Sequence, residues 1–158
     1  MASSNPDTIG CGDRPDGISL VRVDAHDPNL VAVWTLLTEL RPQLTLQTFA
    51  QLLIDAVQMN LVYEAAILEG KAVALVGWRL VTDSRLGRHV YVADLVVTTR
   101  RRGLGLGHAV LAKVVERTRE LECTHVVLDS GITNTSAHRF YEAFGFTQTA
   151  LQFELALN

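Results

Sequence analysis

Residues 94–107 read Asp-Leu-Val-Val-Thr-Thr-Arg-Arg-Arg-Gly-Leu-Gly-Leu-Gly, and they constrain the fold more than any other stretch. An apolar run ends in three arginines, and alternate glycines (Gly103, Gly105, Gly107) follow. A helix-forming run then opens at His108-Ala109-Val110-Leu111. The order is strand, glycine loop, helix. Glycine lets the backbone turn tightly and lets a ligand come close. The N–H groups of a first helical turn have no partner inside the helix and sit at its positive end. Together these features make a site suited to phosphate or pyrophosphate.

Spacing narrows the kind of phosphate site. A Walker loop needs Gly-Lys-Ser/Thr, but His108 and Ala109 follow Gly107. The dinucleotide fingerprint G-x-G-x-x-G fails from either start, since its last glycine would fall on His108 or Val110. What remains is Arg102-x-x-Gly105-x-Gly107, with Val97 five residues before the arginine. This string resembles motif A of the GNAT N-acetyltransferase superfamily, where it wraps the pyrophosphate of acetyl-coenzyme A. A second string is similar to motif B of that family: Asn-Thr-Ser-Ala-His-Arg-Phe-Tyr-Glu-Ala-Phe-Gly-Phe at residues 134–146. Within it Ala137, Phe140, Tyr141 and Phe144 have the spacing of one helical face. Gly145 fits the left-handed position past the helix end, with Phe146 as its apolar follower.

A chain of 158 residues suits one domain, and 48% apolar content allows a sizeable core. A net charge of −3 gives no case for nucleic acid as a partner. Cys11 and Cys123 lack metal-ligand spacing, so no metal is expected, and a reducing cytoplasm fits them. The first seventeen residues hold no apolar signal core, and no run has the length of a membrane-spanning helix.

Residues 1–17, rich in Gly, Ser, Asp and Pro, read as a disordered leader, and residues 18–158 as a single domain. Alternation predicts a strand over 18–23. Helices follow from Asp27-Pro28 to about Leu40 and from Thr45 or Thr48 to near Asn60. Strands 61–68 and 72–81 join through Glu69-Gly70-Lys71. A fourth strand, 89–98, is continuously apolar, as expected when both faces are buried. A helix to about Leu121, a strand at 126–128, the 134–144 helix and a closing strand or hairpin at 147–157 complete the order. The expected class is α/β of the mixed α+β kind: a mostly antiparallel twisted sheet of six to seven strands with about four helices.

The resemblance implies an acetyl-CoA-dependent transfer of acetyl to a primary amine in a ternary complex. The clamp would be Arg102, Gly103, Leu104, Gly105, Leu106 and Gly107, acting mainly through backbone N–H groups. The pantetheine track would be the main chain of Leu95, Val96 and Val97. Tyr141 would be the general acid for the departing thiolate, since a tyrosine of ordinary pKa, about 10, is protonated at neutral pH. Asn134 would bond the pantetheine amides, cap the helix, or do both. Asp94 interrupts an apolar run, where an unpaired charge is costly. It would hold or deprotonate the acceptor amine; a structural carboxylate bonded to loop N–H groups or an arginine is the other reading. Asp129, His138 and Arg41 are the further substrate-side candidates. The family commonly forms homodimers, although no interface is legible here. The acceptor and the general base are not legible either. A non-catalytic CoA-binding or interaction module of the same fold is the rival function.

Overall fold

The computed structural model describes residues 17–157, so most of the expected leader, 1–16, lies outside the described residues. The elements are β1 (Ser19–Val23), α1 (Leu30–Thr38), α2 (Leu46–Gln58), β2 (Leu61–Leu68), β3 (Lys71–Asp83), β4 (Gly87–Val97), a 3-10 turn (Thr99–Arg101), α3 (Leu106–Glu120), β5 (Val126–Leu128) and α4 (Thr135–Phe144). They form one five-stranded sheet in the order β1-β2-β3-β4-β5. Neighbours are antiparallel except β4 and β5, which run parallel. No helix among the described residues is long and apolar enough to cross a membrane.

Local chemistry sets these boundaries. Thr45 accepts the Thr48 N–H and opens α2. Glu69 and Gly70, both at positive φ, make the two-residue hairpin between β2 and β3. At Gly145 (φ 115°) α4 ends, and its N–H and that of Phe146 close back on the last carbonyls.

The sheet has an apolar layer on each face. On one, Val33, Leu36, Leu37, Phe49 and Leu53 of α1 and α2 pack against Tyr63, Ala65, Leu75 and Val96. On the other, Leu106, Val110 and Val114 of α3 pack against Val76, Trp78, Val90 and Val92. Strand β4 therefore needs apolar residues on both sides, which explains its unbroken run. Opposite Gly77 and Trp78 its register slips: Trp78 pairs with Val92 and Gly77 with Asp94, so Ala93 is the extra residue of a bulge. Pairing between β4 and β5 stops at Val92 and Leu128.

The expectation of six or seven strands is corrected to five among the described residues. The segment 147–157 alternates as a strand would, yet it pairs with nothing described. Leu151, Phe153, Leu155 and Leu157 are 63–90% exposed. Alternation specifies which face a strand would bury, not that an edge exists to receive it, and β5 offers only three paired residues. Without that cover the apolar face of α4 is only half-buried.

Gly77 shows how tightly the bulge is built. A Cβ there would lie 2.6 Å from Tyr63 Cε1, and that ring packs against Phe49. Gly77→Ala should destabilise the protein by about 1–3 kcal/mol. The thermal midpoint should then fall by about 2–4 °C per kcal/mol. An unchanged melting curve would mean that the ring moves freely.

Candidate active site

The glycine loop closes the end of β4 into α3. Gly105 is the α3 N-cap in the left-handed conformation (φ 74°) and supplies no side-chain cap. The first backbone bond of the helix runs from Ala109 N–H to the Gly105 carbonyl at 3.0 Å. The N–H groups of Leu106, Gly107 and His108 are therefore left for a ligand. Gly103 is also left-handed (φ 78°), and a Cβ on it would meet nothing within 4 Å. An open backbone cradle at a positive helix end fits a pyrophosphate. At Gly107 the reason for glycine differs: a Cβ would come within 3.1 Å of Phe140, so α4 packs directly on the loop.

Glu39, at the end of α1, was not legible as part of this site. Its carboxylate accepts the Thr99 N–H at 2.7 Å, the Thr99 hydroxyl at 2.6 Å and the Thr98 hydroxyl at 3.1 Å. Arg102 Nη2 stands 3.8 Å from it. Burial pulls the Glu39 pKa upward, but the Thr99 and Thr98 hydrogen bonds and the Arg102 charge outweigh it and hold the carboxyl below its ordinary value. Arg102 also donates from Nε to the Val97 carbonyl at 3.1 Å. The loop is thus pinned from both sides before any ligand arrives. A glutamate sixty residues upstream of the loop gives no local signal of this role.

Asp94 lies opposite Gly77, beside the bulge. Tyr63 donates its hydroxyl to Oδ2 at 2.8 Å, and Arg41 donates from Nη2 to Oδ1 at 3.1 Å. The carboxylate is 12% exposed and the arginine 51%. Burial, then the charge and hydrogen bond of Asp94, raise the Tyr63 pKa, with Arg41 opposing, so this phenol stays a donor. The structure therefore brings Arg41 and Asp94 together in an ion pair that their distance in sequence concealed.

Asp129 follows β5 on the same face. It accepts the Tyr91 hydroxyl at 2.6 Å. Burial first, then the Asp129 hydrogen bond and charge, push the Tyr91 phenol up to about 12; Arg79 opposes and Asp94 adds to the rise. Asp94 on β4 and Asp129 after β5 flank the place where those two strands stop pairing.

Tyr141 lines a cavity of about 420 Å³ together with Asp129, His138, Glu142, Phe146 and Leu151. Its ring contacts Phe140 and Phe146. Burial raises its pKa, so the hydroxyl is held protonated. His138 Nε2 donates to the Gly131 carbonyl at 3.0 Å and staples the loop before α4, which leaves only Nδ1 open. Asn134 caps α4, its Oδ1 accepting the Ala137 N–H at 3.2 Å. Leu95 and Val97 are half-buried and Val96 is buried in the α1–α2 layer. Leu104 is 60% exposed, as a residue acting through its main chain allows.

A parallel pair opening beside a bulge, with a glycine-capped helix at its end, is the arrangement that the resemblance to the acetyl-CoA transferases leads one to expect. Comparison with known proteins agrees. The Acetyltransferase (GNAT) family profile matches residues 26–146. The chain is 34% identical over 116 residues to the uncharacterized N-acetyltransferase YhdJ of Bacillus subtilis (strain 168), covering 72% of this chain and 82% of that protein. It is 31% identical over 93 residues to N-alpha-acetyltransferase 30 of Xenopus laevis, covering 59% of this chain and 34% of that one. A solved structure of aminoglycoside N-acetyltransferase AAC(6')-Iy in complex with CoA superposes with a TM-score of 0.76 at 18% identity, over 91% of this chain and 98% of that chain. The chain belongs to the GNAT acetyltransferase family and is an acetyl-CoA-dependent N-acetyltransferase.

Proposed function

We propose that the chain transfers acetyl from acetyl-CoA directly to a primary amine, with Tyr141 as general acid and Asp94 acting on the amine side. The observation that carries this reading is the pairing of an open backbone cradle at 103–107 with a protonated phenol on the helix packed against it. Acetyl-CoA supplies an activated acyl group on a thiol leaving group. The backbone N–H groups of Leu106, Gly107 and His108, with Arg102, would hold its pyrophosphate. Glu39 keeps that loop ordered from below. The main chain of Leu95 to Val97 would carry the pantetheine arm, and Asn134 has its amide nitrogen left for the same arm after capping α4.

An acceptor ammonium must first lose one proton to expose its lone pair. As the new C–N bond forms and the C–S bond breaks, the nitrogen loses a second proton and the sulfur gains one from Tyr141. The phenol is then reprotonated, so one proton is released in each turnover. Holding both reactants in one cleft supplies much of the rate. Asp94, with both oxygens engaged, supplies fixed negative potential beside the amine rather than a free base. A homodimer is the assembly that the family resemblance favours.

Release of CoA thiol with a panel of primary amines tests the activity, and binding of acetyl-CoA without release for any amine would favour the binding-module alternative. Asp94→Asn keeps the shape, but it removes the charge and turns one of the two acceptor oxygens that meet Tyr63 and Arg41 into an NH2 donor. It should lower kcat/KM for the acceptor by about tenfold or more and leave CoA affinity unchanged. A variant that unfolds, or that retains full activity, would make Asp94 a purely structural carboxylate.

A further inference from the structure

On the sheet face that carries Asp94, two opposite charges are held one tyrosine apart and have no ionic partner among the described residues. Arg79, Tyr91 and Val127 stand in register across β3, β4 and β5. Asp129 follows Val127 by two residues and lies on the same face. The Arg79 guanidinium sits over the Tyr91 ring, 5.4 Å from its centroid, and the Tyr91 hydroxyl binds Asp129 Oδ2 at 2.6 Å. Arg79 is half-buried, and its Nε is fully buried with no hydrogen-bond partner. No carboxylate among the described residues pairs with it, whereas Arg41, Arg101, Arg102 and Arg117 each face one. Asp129 is exposed, and its second oxygen meets no described donor.

This arrangement needs an explanation, because a half-buried guanidinium without an anion is costly. Asp129 is near enough to share a tyrosine with Arg79, yet it is turned onto the hydroxyl. The tyrosine acts as a spacer that keeps the two charges from neutralising one another. A guanidinium fork matches a carboxylate, and a carboxylate with a free oxygen matches an ammonium.

We propose that Arg79 and Asp129, spaced by Tyr91, form the acceptor subsite for a zwitterion: a free α-amino acid whose carboxylate rests on Arg79 and whose amine rests against Asp129. The proposal rests on the N-acetyltransferase reading above. Asp129 lines the same cavity as Tyr141, so the amine lies on the side of the cleft where the acid group is. In an α-amino acid the ammonium and the carboxylate are carried by one carbon, so the two charges stand close together. With a hydrogen bond at each end it would span from Arg79 to Asp129 across the Tyr91 side chain. An amine lacking the carboxylate would leave Arg79 unpaired, and a protein N-terminus carries no carboxylate at that distance.

The test measures CoA thiol release with the free α-amino acids, their carboxamides and a short N-terminal peptide. Calorimetric titration of the same compounds into the CoA-loaded protein runs beside it. The best free acid should exceed its carboxamide in kcat/KM by about tenfold or more. That ratio should fall toward one in Arg79→Gln and take an intermediate value in Arg79→Lys, which keeps the charge and stem but loses the fork. Asp129→Asn should raise KM for the free acid. Equal use of carboxamide or peptide by the unaltered protein would overturn the subsite while upholding the transferase. So would an Arg79→Gln loss equal for acid and carboxamide. Arg79-dependent binding of a free acid without turnover would uphold the subsite and overturn the transferase reading. Absence of both turnover and binding would overturn the subsite, and thiol release with the wider panel of primary amines would then decide the transferase reading separately. If Arg79→Gln does not fold, the Arg79→Lys ratio decides, and a ratio equal to that of the unaltered protein counts against the proposal.

Discussion

Tyr141→Phe should lower turnover by about 10²–10⁴-fold, the usual contribution of a general acid, with CoA affinity retained. The substitution removes one oxygen and keeps the ring contacts with Phe140 and Phe146. Burial alone raises the phenol, so no described partner is orphaned when the hydroxyl goes. Thermal stability should therefore change little, and a folded, CoA-binding, slow enzyme is the expected product. The pH profile gives a second check. An acid whose pKa is raised stays protonated further into the alkaline range, so the Tyr141 limb should lie above the ordinary tyrosine value of about 10. The deficit should also shrink when the leaving thiol is made more acidic, because a better leaving group needs less protonation. Full activity in Tyr141→Phe would assign the proton to water and leave Tyr141 as a packing aromatic.

Gly105→Val should weaken CoA binding by about tenfold or more, roughly 1.4 kcal/mol. Two effects combine at this position. The residue is left-handed (φ 74°), where a β-branched side chain is strongly disfavoured. The added side chain also stands beside the N–H groups of the first α3 turn, where an anion must approach. Strain and blockade can be separated with Gly87→Ala. Gly87 has a similar φ of 65° and open space around it, but it lies at the opposite end of β4 from the loop. That control should lose stability and keep its CoA affinity. Calorimetric titration of CoA into both variants checks the pair. Unchanged affinity in a folded Gly105→Val protein would sink the clamp assignment.

Much of this site was legible before any fold. The string Arg102-x-x-Gly105-x-Gly107 is local, and its meaning follows from backbone chemistry: a glycine at positive φ caps the helix, and unpaired N–H groups follow. Motif B is equally local, because an apolar face at helical spacing and a terminal Gly-Phe depend only on neighbours. The charged half of the cleft was not readable in this way. Asp94 stood out as a carboxylate in an apolar run, but its partners Tyr63 and Arg41 lie 31 and 53 residues away. Glu39 reaches the loop across sixty residues. Side chains brought together by sheet register leave no spacing in the chain.

The closing segment shows the opposite failure. Its alternation read as a strand, but pairing requires an edge of sufficient length, and β5 does not provide one among the described residues. The sequence by itself determined the order of elements up to α4, their caps and turns, and the glycine-capped start of α3, because each is set by interactions within a few residues. Tertiary structure alone decided the count of five strands among the described residues, the bulge at Ala93, and which aspartate meets which tyrosine and arginine. Those follow from strand register, and in a sheet the shift of one residue turns a side chain from one face to the other.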